Sequence, residues 1–192
     1  MVCEMARYSE VRVGILLTGH AEFLFREHPE LNTAVVPDAP HADAVLTFAR
    51  EMYSTQLMAE LQPLLDAHHE EVPQLGLPID PDFTLYKSMA DKNMLRIFTA
   101  RIEGLLVGYQ VFGVMKHPHR KYSFEAIQQL LYLDPECRKG WTAIRFLRYC
   151  WQALEDEGVR VIHQQIDAHH PFGKIFERYG FVLTDLTYAR CA

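Results

Sequence analysis

"LYLDPECRKGWTAIRFLRY", residues 131–149, decides how this chain is read. It opens on apolar residues that suit a strand and breaks at Asp134-Pro135. It turns cationic at Arg138-Lys139-Gly140 and continues as a helix. A strand that feeds a helix through a glycine-containing turn leaves several N–H groups unpaired at the helix start. Those donors and the helix dipole favour an anion. Arg138 and Lys139 add two cations, and Gly140 lets the backbone come close to a ligand. Together they describe a pyrophosphate cradle, although a solvated surface turn has the same local composition. The stretch is neither a Walker loop nor the GxGxxG dinucleotide fingerprint.

Downstream, "WTAIRFLRYCWQALEDEG" reads as a helix that Gly158 can stop. Ile144, Phe146, Leu147, Trp151 and Leu154 fall at helical spacing and belong to the core. "VRVIHQQI" follows as a strand, parallel to "EAIQQLLYL", because a one-helix crossover gives that arrangement. "HPFGKIFERYG" is a short helix and "FVLTDLTYARC" a final strand. Upstream, "MLRIFTAR", Glu103-Gly104 and "LLVGYQVFGVM" form a hairpin of two long strands, and "HPHRKY" is a loop. "AVLTFARE" is a strand. "STQLMAELQPLLDAHHEEV" is a helix capped by Ser54 or Thr55, with Leu57, Leu61, Leu64, Leu65 and His68 on one face. Pro63 either kinks it or starts a second helix. "LPIDPDFTLYKSMADKN" is a turn and a short helix. The order after residue 45 is β-α-α-β-β-β-α-β-α-β. Residues 1–40 show no dominant period and form an N-terminal extension whose role stays open; residues 41–192 form the domain.

At 192 residues, 49% of them hydrophobic, the chain suits one domain with a sizeable core. The net charge of −6 argues against a chain-wide nucleic-acid surface but not against a local anion pocket. Cys3, Cys137, Cys150 and Cys191 form no CxxC, which fits a reducing, cytoplasmic compartment. The best candidate for a membrane span, "VGILLTG", falls far short of the ~20 residues needed, and no cationic segment with a cleavage site precedes it.

The stretches "LLDAHHEEV", "LPIDPDFTLY", "ARIEGLLVGYQVFGV", "HPHRKY", "YLDPECRKGWTAIRFL" and "IFERYGF", in that order and spacing, resemble the GNAT superfamily of acyl-CoA-dependent N-acetyltransferases. The similarity is greatest to the GNAT-like proteins of bacteriophages and prophages, and it spans roughly residues 45–190. It implies an α/β fold: a mixed, mostly antiparallel twisted sheet with a splayed parallel strand pair and helices on both faces. It implies acetyl-CoA as co-substrate. Arg138, Lys139, Gly140, Trp141, Thr142 and Ala143 would hold its pyrophosphate, and the backbone of Leu131, Tyr132 and Leu133 its pantetheine arm. The family pattern is Arg or Gln, two residues, Gly, one residue, then Gly or Ala. Arg138 and Ala143 stand at its ends, Trp141 replaces the usual glycine, and Gly140 comes one position early. Trp141 packs either over the cradle or against the cofactor. Phe176 stands beside the cofactor where the family usually has a tyrosine acid, and Tyr179 lies on another helix face. His169 replaces an asparagine common before that helix.

Acetyl transfer needs a base for the amine, stabilisation of the thioester oxygen and a proton for the leaving thiolate. Gln129 stands near the position where related phage sequences carry an acid. The candidate bases are therefore Glu125, the Glu70-Glu71 pair, and His117 or His119, histidine having the pKa for the task. Solvated polar groups are the plain alternative for the last two sets. The ten histidines match no strong metal-ligand spacing. The topology implies that "HHEEV" and "HPHRKY" wall one acceptor cleft, with His69, Glu70, Glu125 and His117 on its rim. The reaction implied is direct acetyl transfer to a primary amine of a small molecule or protein. The alternatives are a catalytically degenerate acyl-CoA-binding interaction or structural protein, supported by Phe176 and Gln129, and an acyltransferase acting on modified nucleic acid. A homodimer is compatible with the sequence, a membrane partner is not expected, and a phage-encoded chain would work in the host cytoplasm.

Overall fold

The hairpin at Glu103-Gly104 anchors the sheet. Both turn residues have positive φ, +50° and +82°, the geometry whose twist matches two antiparallel strands. A computed structural model describes residues 45–72, 80–167, 172–187 and 189; the extension, "QLGLP", His169 and Cys191 lie outside them. The strands are β1 (Leu46–Glu51), β2 (Leu95–Ile102), β3 (Leu105–Lys116), β4 (Phe124–Leu133) and β5 (Val159–His163). The helices are α1 (Thr55–Glu71), α2 (Phe83–Asp91), α3 (Thr142–Asp156) and α4 (Gly173–Arg178). The sheet order is β1-β2-β3-β4-β5. Every neighbouring pair is antiparallel except β4 and β5. The expected mixed sheet with one parallel pair is therefore present.

Each face is covered by a helix whose apolar stripe the sequence displays. On one side α3 buries Ala143, Ile144, Phe146, Leu147, Cys150, Trp151 and Leu154, packing Phe146 and Cys150 against Phe98, Phe112 and Ala126. On the other, α1 sets Leu57, Leu61 and Leu65 against Ile97, Tyr109 and Val111, and Met89 of α2 joins them. Full burial of each leucine contributes roughly 1.5–3 kcal/mol. Ser54 caps α1 by accepting from the Leu57 N–H at 3.0 Å, and Asp82 caps α2 through the Leu85 N–H. Pro63 sits inside α1 without ending it.

Two expectations need correction. β5 stops at His163 rather than running through Gln164-Gln165-Ile166, because its neighbour β4 has turned away by that point. The final strand does not form over residues 181–187. The Phe181 N–H bonds to the Phe176 carbonyl, and its ring lies 4.9 Å from Trp151. Beyond it Val182, Leu183 and Leu186 are exposed. An apolar run becomes a strand only where a neighbour accepts its backbone.

Candidate functional site: the opening between β4 and β5

The parallel pairing of β4 with β5 covers only Phe124↔Val159 to Ile127↔His163. A bulge in β4 accompanies its end: Val111 of β3 faces Leu130 and Phe112 faces Gln128, leaving Gln129 unmatched. Bulges bend a strand and re-aim its side chains. Beyond Ile127, Leu131, Tyr132 and Leu133 pair only with β3, so their other edge lies toward the opening.

Three carboxamides stand where the strands part. Gln110 Nε2 donates to Gln164 Oε1 at 3.0 Å, and Gln128 Nε2 donates across the gap to the Gln165 carbonyl at 3.0 Å. Gln110 Oε1 and Gln164 Nε2 are buried with no hydrogen-bond partner among the described residues. Such an orphaned pair is uncommon in a folded interior and marks a place where a ligand's polar atoms can enter.

The opening leads to the turn before α3. Gly140 has φ of +67° and open space where a Cβ would stand. Trp141, the cap position just before α3, gives no side-chain hydrogen bond to the helix amides. Lys139 is exposed, with Nζ 3.0 Å from Glu136. Trp141, half-buried, packs on the Trp151–Phe176 cluster. The turn thus has the uncapped helix start and close-approach glycine that a phosphate needs.

Arg138 is placed differently from the expectation that its charge faces a phosphate. It is buried, its Nη1 and Nη2 each donate to Glu71 at 2.5 Å, and its Nε donates to the Leu133 carbonyl at 2.6 Å. It also covers the Tyr132 ring. Next to it, His68 stacks on Tyr132 and shares a 2.8 Å hydrogen bond with the Tyr109 hydroxyl. Burial lowers the His68 pKa, opposed by Glu71, and raises those of Tyr109 and Tyr132. These groups fasten the end of α1 to the end of β4.

Glu125 lies at the other end of β4, roughly 20 Å from Tyr132 at ~3.3 Å per strand residue. It is buried, with His163 Nε2 at 3.4 Å, Arg120 Nη1 at 3.6 Å and His117 Nε2 at 3.9 Å. Glu125 and His117 therefore lie near each other. Glu70 is exposed at the α1 end with His69 partly buried beside it, and with β4 between them "HHEEV" and "HPHRKY" do not share one rim. Helix α1 ends over Tyr132, whereas the loop after β3 ends over Glu125, and the length of β4 separates them. His163 and Arg120 were missed in the sequence. The only signal for His163 was a polar residue within an apolar strand. Phe176 is buried with Trp151, Phe172 and Phe181, and Tyr179 packs on Trp151. Among the described residues no cluster of three or more His, Cys, Asp or Glu could hold a metal ion, and no helix is long and apolar enough to cross a membrane.

No family model and no curated protein matches the sequence. Solved structures do match the fold. A ribosomal-protein-alanine N-acetyltransferase from Brucella melitensis biovar Abortus 2308 is 16% identical with a TM-score of 0.61, covering 77% of this chain and 97% of its own. An aminoglycoside acetyltransferase from an uncultured soil metagenomic sample, solved with sisomicin, is 16% identical at 0.62, covering 77% and 96%. A predicted acetyltransferase from Clostridium acetobutylicum, solved with acetyl-CoA, is 13% identical at 0.57, covering 77% and 96%. The chain has the fold of the GNAT acetyltransferases.

Proposed function

We propose that this protein is an N-acetyltransferase that moves the acetyl group of acetyl-CoA to a primary amine by direct attack. The observation that carries the reading is the opening between β4 and β5, which leads from a bulged strand edge to the uncapped start of α3. The residues fit the co-substrate: Leu131, Tyr132 and Leu133 offer main-chain groups to the pantetheine arm. The amides of Gly140 to Ala143 and the Lys139 ammonium offer donors to the pyrophosphate. Arg138 serves this turn by holding it to Leu133 and Glu71. The orphaned Gln164 Nε2 is a donor for a carbonyl placed at the fork. Glu125 and His117 supply the polar wall on the side where an acceptor amine arrives, and the chain's acidity suits a cationic acceptor better than a nucleic acid.

A second reading, acyl-CoA binding without transfer, is favoured by Phe176, which fills an aromatic cluster and has no proton to give. The affinity to phage proteins rests on the sequence resemblance over roughly residues 45–190, the Arg138-Lys139-Gly140-Trp141 turn included. Calorimetry with acetyl-CoA, followed by thiol release with sisomicin, a peptide bearing an N-terminal alanine, and spermidine, separates the two. Binding with thiol release supports transfer, binding without release supports the second reading, and no binding removes both.

A further inference from the structure

We propose that His163 is the base that takes the proton from the acceptor ammonium, and that Glu125 is the buried carboxylate that positions it. The inference rests on the acetyl-transfer reading and names a residue for its proton.

Placement comes first. His163 is the last residue of β5 that pairs with β4, opposite Ile127. One residue further the strands part. The register puts His163 on the Glu125 face of the sheet. Helices α1 and α2 cover β2, β3 and the far half of β4 on that face, and among the described residues no helix covers this corner. Met115, across from Glu125, is likewise exposed. His163 therefore stands at the fork with its side chain about one-third exposed, while the Glu125 side chain is 8% exposed.

Hydrogen-bonding logic then separates the two imidazoles. Glu125 faces His163 from β5, and His117 and Arg120 from the loop after β3, with His119 beside His117. An ionised carboxylate only accepts, so an imidazole nitrogen bonded to it carries a proton, and the nearest is His163 Nε2 at 3.4 Å. His117 Nδ1 already accepts the His119 N–H at 3.1 Å. The His117 ring therefore has its Nδ1 occupied, and its Nε2, 3.9 Å from Glu125, lies beyond hydrogen-bond reach of the carboxylate. His163 has Nε2 toward Glu125, and among the described residues nothing bonds its Nδ1. That nitrogen keeps a lone pair beside the fork. A carboxylate that fixes the tautomer of an imidazole base is a recurring arrangement in proton transfer.

The chemistry balances without a further reactant. The ammonium gives one proton to His163 Nδ1 and becomes a free amine. Its lone pair forms the N–C bond to the thioester carbon, and the C–S bond breaks with its electron pair on sulfur. The second nitrogen proton goes to that sulfur, and the imidazolium returns its proton to water. The acceptor is thus an amine that arrives charged.

The test uses the full chain. His163→Gln should lower kcat roughly a hundred-fold and abolish the fall of kcat toward acid pH, while acetyl-CoA affinity by calorimetry stays within two-fold (about RT ln 2). Kept affinity also shows that the variant folds. Independently of turnover, diethylpyrocarbonate should label His163, as read by peptide mass spectrometry, and the N,N-dimethyl analogue of the acceptor amine, which the reagent does not consume, should suppress that label. Unchanged kcat and pH profile in His163→Gln, or a larger loss in His117→Gln, overturns the assignment. So does labelling that the analogue leaves untouched. A wild-type protein that binds acetyl-CoA but acetylates none of the amines overturns the base and leaves the cofactor site standing. One that does not bind acetyl-CoA removes the transfer reading itself.

Discussion

The two ends of β4 use the same kinds of residue in opposite ways. At the Leu133 end, carboxylate, guanidinium and imidazole are closely bonded: Glu71 with Arg138 at 2.5 Å, His68 with Tyr109 at 2.8 Å. At the Phe124 end, a carboxylate more deeply buried than Glu71 has three basic partners, none nearer than 3.4 Å. Close, charge-assisted bonds hold elements in place. A buried carboxylate without a close bond is costly unless a further group completes it. The first end is a fastening and the second is where we propose the proton transfer, although both read alike in the sequence as scattered His, Arg and Glu.

Substitution should separate the two ends. The largest effect is expected for Glu125→Gln: kcat falls on the order of a hundred-fold, its acid-side dependence flattens, and acetyl-CoA affinity stays. Glu125→Asp should restore part of the rate. A loss of affinity and rate together would make Glu125 a fastening as well. Next, Arg138→Ala should lower unfolding stability by roughly 2–3 kcal/mol in denaturant titration, since it strands a half-buried carboxylate and the Leu133 carbonyl. A loss confined to acetyl-CoA affinity would instead give Arg138 a direct phosphate contact. Gly140→Val should weaken acetyl-CoA binding about ten-fold in calorimetry, because a β-branched residue resists φ of +67° and its side chain fills the open space above the turn.

The smallest effect concerns His68. Its pKa is lowered from 6.5, chiefly by burial, so the unfolded chain takes up a proton before the folded one. Stability should therefore be flat above that pH and fall as pH drops from about 6.5 toward the folded value. Thermal denaturation of His68→Phe should lack this component of the slope. An unchanged slope would mean that His68 is not the titrating group.

Much of the sheet was legible because local chemistry specifies it. Positive-φ turn residues set the hairpin, apolar spacing set α1 and α3, and the crossover set the parallel pair. Where the sequence misled, the missing information was long-range. "FVLTDLTYARC" has a strand's composition, but no neighbour accepts it over residues 181–187. Glu70 and Glu125 look equivalent until β4 separates them. Glu125 and His163 meet only through the β4–β5 register, which no spacing along the chain reveals. Arg138 was legible as a cation beside a glycine turn, but its partner Glu71 lies at the end of a helix far upstream.

The edge of β4 beyond Ile127 offers peptide groups, and so does the turn at Gly140. Peptide groups are the same whatever side chain accompanies them. A surface built this way places demands on backbone path at a few points, such as the bulge at Gln129 and the left-handed turn, and leaves most residue identities open to drift. Shape can then outlast spelling. That accounts for a chain recognisable by its coordinates at a TM-score of 0.62 while only 16% of its residues agree with the same protein.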